Sequence, residues 1–138
     1  MEQTNNVTAA LVPNAARPVF LHRYFGDAFL VVEQAIYTMT DELCPDYMGG
    51  VWAFFELSNG GAYMAPDRER TWRMQVRGNG YEGELSSDAV GVVVTLFAMS
   101  HLSFAYPGFS EMFTDRYHQL RDYAGNHPEA SQIFAAID

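Results

Sequence analysis

Over residues 26–45, "GDAFLVVEQAIYTMTDELCP", apolar side chains recur at helical spacing. At about 100° per residue, Phe29, Val32, Ile36, Met39 and Leu43 fall on one stripe, with Gln34, Thr38, Asp41 and Glu42 elsewhere. The pattern predicts a helix that Pro45 stops. "VWAFFELS" (51–58) is apolar on both faces and predicts a covered strand. "SNGG" (58–61) supplies turn residues, and "AYMAP" (62–66) predicts a short return strand ended by Pro66.

The period then becomes a clear two. Trp72, Met74 and Val76 alternate with Arg73, Gln75 and Arg77; Tyr81, Gly83 and Leu85 alternate with Glu82 and Glu84. Between the runs, Asn79-Gly80 is a strong signal for a two-residue type I′ hairpin turn. That turn sets a register in which 77 faces 82, 76 faces 83, 75 faces 84 and 74 faces 85. Apolar residues then meet on one face and polar ones on the other.

"SSDAVGVVVTLFAMSHLSFA" (86–105) follows, with Ser86 or Ser87 as N-cap and Asp88 in the first turn, where the helix dipole favours an acid. Its apolar residues run nearly all the way round, which predicts a buried central helix. Pro107 and Gly108 break it. A third helix is expected over 110–125 and a short last one from about Pro128. The order is α-β-β-β-β-α-α-α, an α+β fold with an antiparallel β-meander of three to four strands packed against about four helices. Residues 1–17 are polar and small and read as a flexible N-terminal arm; residues 18–138 read as a single domain.

Composition narrows the function classes. The 138 residues are 49% hydrophobic, enough for a sizeable core, and the net charge is −9 from 17 acids against 8 bases. All the bases are arginine. That balance argues against direct binding of DNA or RNA, whose phosphates would be repelled. A nucleic-acid mimic is also disfavoured, because no more than two acids are adjacent anywhere and "DRER" (67–70) interleaves both signs. One cysteine, Cys44, excludes an internal disulfide and fits a reducing compartment. The N-terminus has no basic n-region, and the apolar stretch from Ala89 to Met99 is well short of the roughly 20 residues of a membrane span. The expectation is a cytoplasmic protein with no membrane partner.

Candidate chemistry is sparse. "GNGYEG" (78–83) matches G-x-G-x-x-G, but its third glycine falls inside a strand and Glu82 and Glu84 bring negative charge. A kinase-type loop would need a lysine on the phosphates, and the chain has none. Glu111, Asp115, His118 and Asp122 share one side of the 110–125 helix, with Phe109, Phe113, Tyr117, Leu120 and Ala124 opposite, so that stripe reads first as a solvated face, second as a partner-contact surface and least as a metal site. Cys44 sits at a helix C-terminus, where a thiolate is disfavoured. His101 reads as a core histidine, and His22 and His127 lie near element ends without an evident partner. Asp67, Arg68, Glu69 and Arg70 read as a mixed-charge surface. No catalytic, metal or cofactor site is assigned.

"LSNGGAYMAP" (57–66), "VRGNGYEGELSSDAVGVVVTLFAMSHL" (76–102) and "RYHQLRDYAGNHPEASQIFAAID" (116–138) resemble the plasmid-borne antirestriction family of the ArdB and KlcA type, as does "GGVWAFFELSNGG" (49–61). The resemblance implies a non-enzymatic protein of mobile elements, without a cofactor, that relieves restriction by host type I restriction–modification enzymes. It implies contact with that enzyme complex, or with a factor controlling it, through protein surface. Such proteins differ from the strongly acidic antirestriction proteins that imitate B-form DNA. The candidate contact residues are Asn59, Arg77, Asn79, Glu82 and Glu84, exposed at hairpins where loops carry function. For Asn59 and Asn79, setting turn geometry is the simpler role. A DNA mimic and a small metabolite- or nucleotide-acting enzyme are the competing classes.

Overall fold

The structure is a computed structural model that describes residues 6–138. Among the described residues there are five strands: β1 (Ala9–Leu11), β2 (Trp52–Leu57), β3 (Ala62–Pro66), β4 (Thr71–Val76) and β5 (Tyr81–Ser86). Five helices accompany them: α1 (Arg17–Phe25), α2 (Phe29–Leu43), α3 (Ser87–Ala105), α4 (Ser110–Ala124) and α5 (Ala130–Ile137).

The other elements are arranged around α3. Ser86 caps it, its Oγ accepting the Ala89 N–H at 3.1 Å. The body of the helix is buried on all sides, with Val90, Val92, Val93, Val94, Leu96 and Met99 fully enclosed. Each such side chain contributes about 1.5–3 kcal/mol of burial. Although 19 residues long and apolar enough to cross a membrane by length and composition, α3 is this fold's core helix. Gly91 lets it close onto β3, since a Cβ there would lie 2.4 Å from both Ala65 Cβ and the Met64 carbonyl oxygen. β3 is buried along its whole length as a result.

The expected helix over 26–45 begins later, as α2, with a 3₁₀ turn over Gly26–Ala28 and the separate helix α1 before it. Gly26, at φ +57°, closes α1 by donating its N–H to the His22 carbonyl. Val32, Ile36 and Leu43 of the expected stripe are buried; Phe29 and Met39 are half-buried. Thr40, also buried, turns its hydroxyl onto the Ile36 carbonyl at 2.8 Å.

The flexible arm expected over 1–17 is corrected for its second half, residues 1–5 lying outside the described residues. Ala9, Ala10 and Leu11 pair antiparallel with Leu57, Glu56 and Phe55, and Val12 enters the core. Three residues, Ala-Ala-Leu, are too few to carry a readable period of two; the open edge of β2 supplies their partners.

The α+β class holds, with antiparallel strands packed against helices; the strands divide into a three-stranded sheet, β1-β2-β3, and a separate hairpin, β4-β5, rather than one continuous meander. The hairpin faces came out as expected, with Trp72, Met74, Val76 and Leu85 buried. Its register did not. Val76 pairs with Tyr81, Gln75 with Glu82, Met74 with Gly83 and Arg73 with Glu84. The shift is two residues, so each side chain keeps its face. The cause is the turn, which spans residues 77–80 and closes with the Gly80 N–H on the Val76 carbonyl at 2.9 Å. Among the described residues only glycines take positive φ, so Asn79 cannot be part of a type I′ turn. Its carboxamide is instead committed elsewhere: Oδ1 accepts the Tyr81 N–H at 2.9 Å, and Nδ2 donates to the Ala136 carbonyl of α5 at 2.8 Å.

Candidate functional site

Three ties hold the hairpin against α5. Asn79 reaches Ala136, the Tyr81 hydroxyl donates to Gln132 Oε1 at 2.6 Å, and Glu129 Oε1 accepts the Ser86 N–H at 2.9 Å. Gly83 makes room for the second, because a Cβ there would sit 2.3 Å from the Tyr81 hydroxyl. The glycines of "GNGYEG" therefore serve a turn, at Gly80, and a close side-chain approach, at Gly83.

The outward face of this anchored hairpin carries mixed charge. Arg73, Glu82 and Glu84 are exposed, as is Arg77 in the turn. Gln75 Nε2 donates to Glu82 Oε1 at 3.2 Å, and Arg73 faces Glu84 across the ladder. Of the sequence candidates, Arg77, Glu82 and Glu84 thus share one rigid, water-facing surface.

Asn59 lies on the other sheet, in the β2–β3 turn. Its Oδ1 accepts the Gly61 N–H at 3.1 Å and its Nδ2 donates to the Gln119 carbonyl at 2.9 Å. Gln119 returns the contact, Nε2 donating to the Asn59 carbonyl at 3.2 Å, while Arg116 Nη1 donates to the Gly60 carbonyl. Asn59 and Asn79 are equivalent devices, each tying a turn to a helix, and both carboxamides are occupied inside the fold.

Sequence reading missed a polar clasp in which buried His127 and Tyr63 hold half-buried Asp88. His127, expected to lack a partner, is only 8% exposed, with Nε2 2.7 Å from Asp88 Oδ2. Its Nδ1 accepts the Glu129 N–H at 2.9 Å, which places the single ring hydrogen on Nε2, donated to Asp88. Tyr63 donates its hydroxyl to the other carboxylate oxygen at 2.7 Å. Burial pushes the Asp88 carboxyl up, but the hydrogen bonds from His127 and Tyr63 outweigh it and hold the group below its ordinary 3.8. Burial first, then the bond with Tyr123, pushes the Tyr63 phenol up. Both ring nitrogens of His127 are engaged, so the histidine has no lone pair left to act as a base. The clasp joins β3, the start of α3 and the α4–α5 link.

The remaining candidates separate cleanly. Cys44 is buried at the end of α2, and burial, then the charge of Asp46, pushes its thiol up to about 12. His101 is a correction: it is exposed, not in the core. His22 is exposed beside Asp27, 3.5 Å away. Glu111, Asp115, His118 and Asp122 all face water on α4, opposite buried Phe113, Leu120 and Ala124. Within the 67–70 loop, Arg70 is more than surface: it pairs with Asp46 at 3.4 Å and stacks 4.0 Å over the Trp72 ring.

Residues 45–138 match the antirestriction protein family, and the chain belongs to that family. Antirestriction protein KlcA of Escherichia coli is 44% identical over 139 residues, spanning 99% of this chain and 98% of the relative. The uncharacterized protein YafX of Escherichia coli strain K12 is 40% identical, spanning 96% of this chain and 88% of its own. A solved structure, reported for KlcA and ArdB as a novel fold with antirestriction activity against type I DNA restriction systems in vivo but not in vitro, aligns with a TM-score of 0.91. That match has 44% identity and covers 99% of this chain and all of the other. The α+β fold of this chain is the fold of that structure.

Proposed function

We propose that this chain relieves type I restriction of incoming mobile-element DNA, acting in the cytoplasm as a single domain that β1 and Val12 join. The action is protein–protein interference, with no catalysis and no cofactor. The observation that carries this reading is the full-length likeness, 44% identity at a TM-score of 0.91, to a structure reported with that activity. Activity in vivo but not in vitro, reported for KlcA and ArdB, means that a purified system lacks something the cell supplies. A host factor that controls the restriction complex is therefore the favoured partner, ahead of the complex itself. The same report weighs against occupancy of the enzyme's DNA site by a mimic, which would operate in vitro. So does the interleaved charge, with Arg23 beside Glu56 and Arg121 beside Asp138.

Within the fold, the contact is assigned to Arg77, Glu82 and Glu84 on the hairpin face, because these side chains are exposed on a backbone held at three points. Asn59 and Asn79 set the geometry of their turns. The decisive measurement is plating of unmodified phage on hosts carrying a type I or a type II system, with and without the protein. Relief is expected on the type I host alone. Absence of relief by stably expressed, folded protein would overturn the reading.

A further inference from the structure

An apolar groove of about 670 Å³ runs between α2 and α3, away from the hairpin. Val31, Ala35 and Met39 line one wall and Ala98, Leu102 and Ala105 the other. Exposed apolar residues sit beside it on both helices. Leu30 lies one turn before Gln34 on the α2 rim, and Phe104, 84% exposed, lies one turn beyond His101 on the α3 rim. A solvated face has no use for a phenylalanine standing almost wholly in water next to an apolar trough.

Charge specifies the occupant. None of the eight arginines falls between residues 24 and 67 or between 78 and 115, so neither α2 nor α3 has a cation other than a histidine. Glu42 lines the groove and Asp41 beside it is exposed. The last turns of α2 and α3, which both reach the groove, contain no basic residue to complement their carbonyl ends. An apolar trough with acidic residues at its rim and two helix C-termini without a basic residue in their last turns accepts an amphipathic helix with arginine or lysine along its polar edges. The flexible thioether of Met39 adapts to the apolar side chains of such a helix.

We propose that the α2–α3 groove docks a basic amphipathic helix of a protein partner. This surface is separate from the hairpin face and rests only on the reading that the chain acts by protein contact. Leucines or phenylalanines at i, i+3 or i+4, and i+7 enter the trough, and cations pair with Glu42, Asp41 and the two carbonyl ends.

The test uses a synthetic leucine–arginine amphipathic peptide of about five helical turns, with a leucine–glutamate analogue as control. Binding to the full chain is followed by titration and by NMR shifts. The Thr38→Arg/Glu42→Arg variant changes two exposed positions on the groove and raises the net charge by three. Asp115→Arg/Asp122→Asn on α4 raises it equally, away from the groove. The expected result is shifts confined to the groove, no binding of the glutamate peptide, and affinity at least about tenfold weaker in the groove variant but within about threefold in the α4 variant. Equal weakening in both folded variants, or shifts centred on the α4 stripe, would overturn the proposal as mere charge attraction. A dimer of the chain alone that the groove variant dissolves would overturn it in favour of a second copy. In phage plating, loss of relief in the groove variant is expected and full relief overturns the groove as a working contact. Absence of relief by the unaltered chain, with peptide binding intact, would instead count against the function proposed above.

Discussion

The outer face of the β4–β5 hairpin and the Tyr63–Asp88–His127 clasp both join polar side chains across the ladder or across elements, but water reaches them differently. On the hairpin, Glu82 takes a 3.2 Å bond from Gln75, and Arg73, Arg77 and Glu84 stand in solvent. Such pairs contribute about 0–1 kcal/mol, because water competes for every bond. In the clasp His127 is buried and the two bonds to Asp88 are 2.7 Å long. There loss of Asp88 would leave the buried His127 and Tyr63 donors unpaired. Polar residues withdrawn from water, as His127 and Tyr63 are around half-buried Asp88, maintain the fold, while polar residues held wet on a fixed backbone remain available to a partner.

His127→Ala should therefore have the largest effect. It removes the donor to Asp88 and the acceptor for the Glu129 N–H, and opens a gap beside the Tyr123 ring. Urea denaturation should show a loss of about 2–3 kcal/mol. A loss below about 0.5 kcal/mol would show that the clasp does not hold these elements together.

The same cluster gives a pH signature. The folded Asp88 carboxyl is held below its ordinary 3.8, so its contribution is present above that value and is lost as pH falls through the folded value. Asp88→Asn has no such titration. The stability gap between the native chain and Asp88→Asn should narrow on acidification, as read from urea midpoints across the acid range. A gap independent of pH would assign the two bonds a neutral, uncharged character.

The contrast also explains what the sequence disclosed. α3 was legible because its cap, its first-turn acid and its all-round apolar character lie within one stretch, 86–105. The faces of the hairpin were legible for the same reason, the alternation being local. Its register was not, since Asn79 follows its bond to Ala136, 57 positions away, rather than the local preference of Asn-Gly for a type I′ turn. Asp88 and His127 are 39 positions apart, and neither carries a signal that names the other. α1 went unread because Pro18 and a short mixed run, "RPVFLHRYF", show little helical period. The exposed candidates at 77, 82 and 84 were found from the hairpin pattern, whereas the anchoring of the hairpin to α5 is purely tertiary.

Asn79→Ala sharpens the comparison between local and tertiary control. In a type I′ turn alanine would be forced to positive φ and the turn would be strained. Here the position already has negative φ, so alanine fits, and only the bonds to Ala136 and Tyr81 are lost. A cost of about 1 kcal/mol is expected, with the ladder from Val76–Tyr81 onward unchanged in NMR and faster hydrogen exchange at Tyr81. A change of register would show that the bond from Asn79 to α5, not the 77–80 turn, sets the pairing.

The smallest effect on stability should come from Arg77→Ala, Glu82→Ala and Glu84→Ala combined. All three side chains are exposed, and among the described residues the only side-chain hydrogen bond removed is the one from Gln75. Denaturation midpoints should move by no more than about 0.5 kcal/mol. Phage plating on a type I restricting host should nevertheless lose the relief, because the residues stand on a backbone that Asn79, Tyr81 and Ser86 hold in place with or without them. Full relief by this folded variant would remove the hairpin face as the contact and leave the α2–α3 groove to carry it. Loss of relief with stability unchanged would separate the two clusters in the way their solvation requires.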